Sequence, residues 1–190
     1  MIVHRDQGQL VALLLQGVRG VQATNALRFA GRGVYYPFGA DTGYFYGGTW
    51  QGTKKLLGIG GSFDVQKDYN AGGADLMYEQ PLKEGEQGVT FQLGWTHLNG
   101  GDFITALPKQ DTVLVEGGYH LLKGRVTPFF QYSLRSFENA SMPDQSAYQV
   151  GVACWLKGHN RNIKASVGEQ RTDGKPNRLQ GLVQLQIFAY

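Results

Sequence analysis

The chain has 190 residues, 42% of them hydrophobic, and a mean hydropathy of −0.30. That is enough for one domain, and the longest apolar run, Leu10 to Leu15, is far too short for a spanning helix. A formal net charge of +3 is too small to argue for nucleic acid, and the lone Cys154 excludes a disulfide framework and a cysteine-based metal site.

The 28 glycines and 12% aromatics suit many strands, tight turns and aromatic belts. A β-barrel wall is invisible to averages of this kind, because half of each of its strands is polar. Near the N-terminus, Leu10 to Leu15 follows His4 and Arg5 and precedes Val21-Gln22-Ala23, an arrangement faintly like a secretory signal. The apolar run is short for that role and Arg19 interrupts the approach to the cleavage site, so the expectation is a strand, in a chain whose beginning lies upstream.

Residues 25–36 alternate with period two: Leu27, Phe29 and Tyr35 share a face with Gly31 and Gly33, and Arg28 and Arg32 lie opposite. Residues 37–52, rich in glycine and aromatics, leave room for one short extra strand. Strands are predicted over 53–65, 72–82 and 88–98, with Asp75 and Glu79 on the polar side of the second. The clearest pattern is a hairpin over 111–137, turning at Lys123-Gly124. Its arms alternate for about a dozen residues, whereas a soluble strand has about five or six and a tilted strand crossing a bilayer roughly nine to eleven. Glu116 and His120 fall on the polar face of the first arm, Arg125 and Arg135 on that of the second. Further strands are predicted over 145–156, 162–171 (with Lys164 on its polar side) and 179–190.

The result is about nine strands and no helical periodicity. After Leu82 the connections alternate short and long, as in outer-membrane barrels with short periplasmic turns and long outer loops. Counting back from a periplasmic C-terminus assigns every short turn to the periplasm. Tyr35, Tyr36, Trp155, Phe188 and Tyr190 then fall at periplasmic strand ends, as an interfacial girdle requires. The terminal Tyr190, preceded by Phe188, is similar to the signal read by the outer-membrane assembly machinery, although Val183, Leu185 and Ile187 lie out of phase with it.

Seven stretches carry a resemblance: Asn-Ala-Leu-Arg-Phe-Ala-Gly-Arg at 25–32, Gly-Tyr-Phe-Tyr at 43–46, Thr-Lys-Lys-Leu-Leu at 53–57, Leu-Pro-Lys-Gln-Asp-Thr at 107–112, Pro-Phe-Phe-Gln-Tyr at 128–132, Gly-His-Asn-Arg-Asn at 158–162 and Leu-Gln-Ile-Phe at 185–188. With these, nearly all the chain beyond Arg5 resembles the C-terminal part of the phosphate-selective porin O/P family of bacterial outer-membrane porins. The resemblance implies a large antiparallel transmembrane β-barrel with a water-filled pore, homotrimeric when full length, of which the chain is the C-terminal part.

No catalytic constellation stands out. The histidines are dispersed, Glu116 and His120 share a face without a further ligand, no Gly-x-Ser-x-Gly elbow occurs, and residues 58–61 lack the context of a dinucleotide site. Neither an enzyme nor a cofactor is expected. The candidate pore-lining residues are Arg28, Arg32, Asp75, Glu79, Glu116, His120, Arg125, Arg135 and Lys164. The five basic side chains outnumber the carboxylates and suggest anions, phosphate among them, as solutes; Arg28 and Arg32, four apart on one face, offer two successive anion sites. The competing reading is a soluble β-sandwich that binds carbohydrate. The favoured one is a single porin domain of the bacterial outer membrane, in contact with its lipid and passing small hydrophilic solutes.

Overall fold

The structure, a computed structural model, describes residues 2–5, 8–16, 26–39, 49–83, 86–102 and 104–187; for residues 2–16 it describes the backbone alone. Among these described residues, eleven antiparallel strands form one sheet in simple sequence order. They are β1 (Ile2–Arg5), β2 (Gly8–Gln16), β3 (Leu27–Tyr35), β4 (Leu56–Gln66), β5 (Tyr69–Leu82), β6 (Gln87–Asn99), β7 (Gln110–His120), β8 (Val126–Phe137), β9 (Gln145–Trp155), β10 (Arg161–Thr172) and β11 (Arg178–Ile187). The nine strands read from residue 25 onward are β3 to β11, and the strand read at Leu10 to Leu15 is β2. The short β1 joins them through an antiparallel pairing with β2. Among the described residues the sheet does not close into a barrel, and β1 and β11 are its edges.

The register carries the alternation of each strand into its neighbours. Leu93 pairs with Val115 and Val115 with Tyr132, all on one face. Gln92, Glu116, Gln131 and Gln149 form a parallel row on the other. The sheet therefore has one apolar and one polar face from β3 to β11. All but two of the exposed large hydrophobic residues in these strands lie on the apolar face, Leu114 and Leu182 being the exceptions. Val150 is 57% exposed there and Val183 77%. Little apolar surface is buried elsewhere, and of the largest fully buried side chains (Leu56, His120, Gln66, Glu79 and Asn162) only Leu56 is apolar. The usual soluble arrangement, with apolar residues gathered inside, is inverted.

The turns between β7 and β8 and between β4 and β5 depend on left-handed backbone. Leu122, Lys123 and Gly124 all have positive φ, and a side chain at Gly124 would meet the Gln51 carbonyl oxygen at 2.5 Å. The β4–β5 turn is only two residues long, with Lys67 at φ 58°. After Leu82 the connections 83–86, 100–109, 121–125, 138–144 and 156–160 alternate short and long as expected, and the β4–β5 turn lies upstream of that run. This short turn lies at the end of the long connections 100–109 and 138–144, while the long β3–β4 connection lies at the end of the short turns. The described part of the β3–β4 connection folds onto the polar face. Residues 37–39 and 49–52 hold turns and no strand, and residues 40–48 lie outside the described residues.

Candidate functional site

The polar face is concave. One hollow of about 380 Å³ is lined both by Gln92 of β6 and by Gln184 of β11. On a flat sheet these strands would stand about 24 Å apart, five spacings of roughly 4.8 Å. Only a curled sheet brings both to one hollow.

Across this concave side runs the segment 49–52, anchored by Glu79. The Glu79 side chain is fully buried and receives the Trp50 amide at 2.7 Å, the Gly52 amide at 2.6 Å and the Thr49 hydroxyl at 3.0 Å. Left-handed backbone at Gln51 and Gly52 turns both amides toward the one carboxylate. The loop backbone then lies directly on β6, where a side chain at Gly88 would come within 2.5 Å of the Gly52 Cα.

The hydrogen bonds form a directed chain. Trp155 Nε1 donates to Thr127 Oγ1 at 3.0 Å, and Thr127 Oγ1 lies 2.8 Å from His120 Nδ1. His120 Nε2 lies 3.2 Å from Thr49 Oγ1, whose own proton goes to Glu79. Because Thr49 spends its proton on the carboxylate, it accepts from His120, which assigns the proton of His120 to Nε2 and leaves Nδ1 to accept from Thr127. His159 Nε2 donates to the Thr49 carbonyl at 2.8 Å, fastening the loop to the β9–β10 turn.

Near β3 the face carries ion pairs. Arg32 grips Asp75 with two hydrogen bonds of 2.7 and 2.8 Å, reaching across β4. Gly60 permits this reach, since a Cβ there would stand 2.6 Å from both Asp75 oxygens. Arg28 binds both oxygens of Asp64, which also accepts from the Tyr69 hydroxyl at 3.3 Å. The two successive anion sites expected at Arg28 and Arg32 are therefore corrected to two charge-compensated pairs.

No family model matches the chain, and neither does any curated protein or solved structure.

Of the expected pore-lining residues, Arg28, Arg32, Asp75, Glu79, Glu116, His120, Arg135 and Lys164 all stand on the polar face. Glu116, His120 and Lys164 share the hollow. Arg135 is engaged with Gln110 and lies over the Phe137 ring. Arg125 is corrected: it belongs to the β7–β8 turn, one residue before the strand, where its carbonyl accepts the Trp155 amide. Two of the girdle aromatics are corrected as well. Trp155 is buried on the polar face, with the Lys164 ammonium 5.3 Å from its ring centroid, and Tyr36 is buried with its ring against Gly58. Tyr35, 53% exposed, does lie on the apolar face at the strand end. Phe188 and Tyr190 lie outside the described residues. The sequence reading missed Asp64, whose parity in β4 puts it on the polar face with Ser62 and Gly60, and which the β3–β4 register then brings beside Arg28. It also missed Thr49, which has no periodic pattern to betray it.

Proposed function

We propose that the chain forms part of the wall of a bacterial outer-membrane porin, through which small hydrophilic solutes diffuse passively. The observation that carries this reading is the bare apolar face: nine adjacent strands, each alternating, expose one continuous apolar surface while the concave opposite side carries amides, hydroxyls and paired charges. Water is the wrong solvent for the first surface and the right one for the second, and a lipid-embedded barrel wall meets both conditions. Strands of 9 to 14 residues in β3–β11 suit a tilted crossing of the hydrocarbon layer.

A soluble sandwich would cover the apolar face with a second sheet, yet all eleven strands of the described residues belong to one sheet. An open edge in hydrocarbon leaves backbone groups unpaired at several kcal/mol each, and single-chain bacterial barrels have even strand numbers. The wall is accordingly completed by further strands beyond β1 and β11, and the assembled porin is a homotrimer in contact with outer-membrane lipid. Arg28 and Arg32 are neutralised by their aspartates, so the wall near β3 offers little surplus charge to anions.

Solvent requirement tests the reading. The purified 190-residue chain is expected to stay dispersed only in detergent or lipid and to show β-type circular dichroism there. A monodisperse folded chain in plain buffer would overturn it.

A further inference from the structure

Resting on the porin reading above, we infer that the hollow beneath the 49–52 loop is a subsite for a neutral polyhydroxylated solute, a pyranose sugar. Its volume, about 380 Å³, falls within the roughly 300–1,000 Å³ of small-molecule sites.

The lining has the chemistry of hydroxyl recognition. Four carboxamides face it, from Gln92, Gln131, Gln149 and Gln184. Each offers one acceptor oxygen and two donors in a plane, which suits hydroxyl groups that both give and take. Gln131 and Gln149 are oriented by the sheet: Gln149 donates to Gln131 and accepts from Ser166 at 3.1 Å. Thr90 of β6 adds a small polar side chain to the same lining. The hollow's charges, Glu116 and Lys164, are one of each sign, so an anion meets no net attraction there.

The hollow also has an aromatic floor. Phe129 is flanked in register by Gly118 and Gly151, neither of which has a side chain. Its ring occupies the space of the missing side chain at 151, where a Cβ would lie 2.7 Å from the ring tip. A ring laid down along the sheet gives the apolar C–H face of a pyranose a surface to pack on by dispersion, while the amides take the hydroxyls.

The test uses the full chain refolded in a sugar-free amine-oxide detergent, with maltose and inorganic phosphate as probes. The readout is Trp155 fluorescence in a Trp50→Phe, Trp95→Phe background. The expected result is saturable binding of maltose and none of phosphate. Phe129→Ala and Gln131→Leu are each expected to weaken maltose at least tenfold, while Phe130→Ala, on the apolar face, leaves it unchanged. Should Phe129→Ala fail to refold, Gln184→Leu on β11 reads the same site. Phosphate saturating where maltose does not, no saturation by either probe, or a maltose affinity indifferent to these substitutions overturns the subsite. Detergent dependence scores the porin separately. A chain that needs detergent but takes up no maltose loses the subsite and keeps the porin wall. One that binds maltose while monodisperse in plain buffer keeps the sugar site and loses the porin wall.

Discussion

Glu79 ties the 49–52 segment to the sheet. A buried carboxylate is costly unless hydrogen bonds replace its hydration, and here two backbone amides and a hydroxyl do so. The dependence is mutual, since Glu79 is the acceptor of both the Trp50 and the Gly52 amide. Each buried donor left unsatisfied costs about 1–3 kcal/mol. Glu79→Ala is therefore expected to loosen the loop by about 3 kcal/mol. Lys54 and Lys55 lie just beyond the anchored turn, and trypsin cleavage after them should accelerate by at least tenfold at about 1.4 kcal/mol per decade. An unchanged cleavage rate would show that Glu79 does not hold the loop. The Arg32–Asp75 pair is a different case. Both partners are more than a third exposed, so solvent screening leaves its contribution within about 0–1 kcal/mol; its effect is to cancel charge on the wall rather than to stabilise the sheet.

At the scale of single strands the sequence was highly legible, and the reason is local. Period-two alternation needs no knowledge of the partner strand, so the faces of β5, β7, β8 and β9 could be read from their own residues. Parity also had the answer for Trp155, which alternates with Val152 and Cys154; its position at a strand end suggested a girdle, but the face decides what an aromatic touches. Arg125 was read one residue too far, because a turn that uses left-handed Leu122 and Lys123 has no alternation of its own. The loop anchored by Glu79 and the Arg–Asp pairs were not legible, since both depend on cross-strand register and on chain segments 27 or more residues apart. The faces themselves give a sharp contrast. Val115 is at the centre of β7, between Leu93 and Tyr132 on the apolar face. Val115→Arg is expected to cost roughly 2–4 kcal/mol near the bilayer midplane, while Ser133→Arg on the polar face costs far less. Urea unfolding from lipid vesicles measures both; equal costs would contradict the assignment of faces.

Taken as a whole, the molecule has its hydrophobic surface outside. Fully burying a Val, Leu, Ile or Phe side chain contributes about 1.5–3 kcal/mol, so the exposed set on β3–β11 represents on the order of tens of kcal/mol that water does not supply. A concave polar side bridged by a loop, and an opposite apolar side on which no element of the described residues packs, are the two surfaces that the proposed wall between water and lipid requires. The two tryptophans in the strands report on the two sides. Trp95 is 44% exposed on the apolar face, and Trp155 is 7% exposed on the polar one. The most direct measurement is fluorescence quenching by lipids brominated on their acyl chains, using the chain in vesicles with one strand tryptophan retained and the other two replaced by Phe. The account predicts strong quenching of Trp95 and little of Trp155. Quenching of Trp155 above Trp95, or of neither, would contradict a lipid-facing apolar sheet.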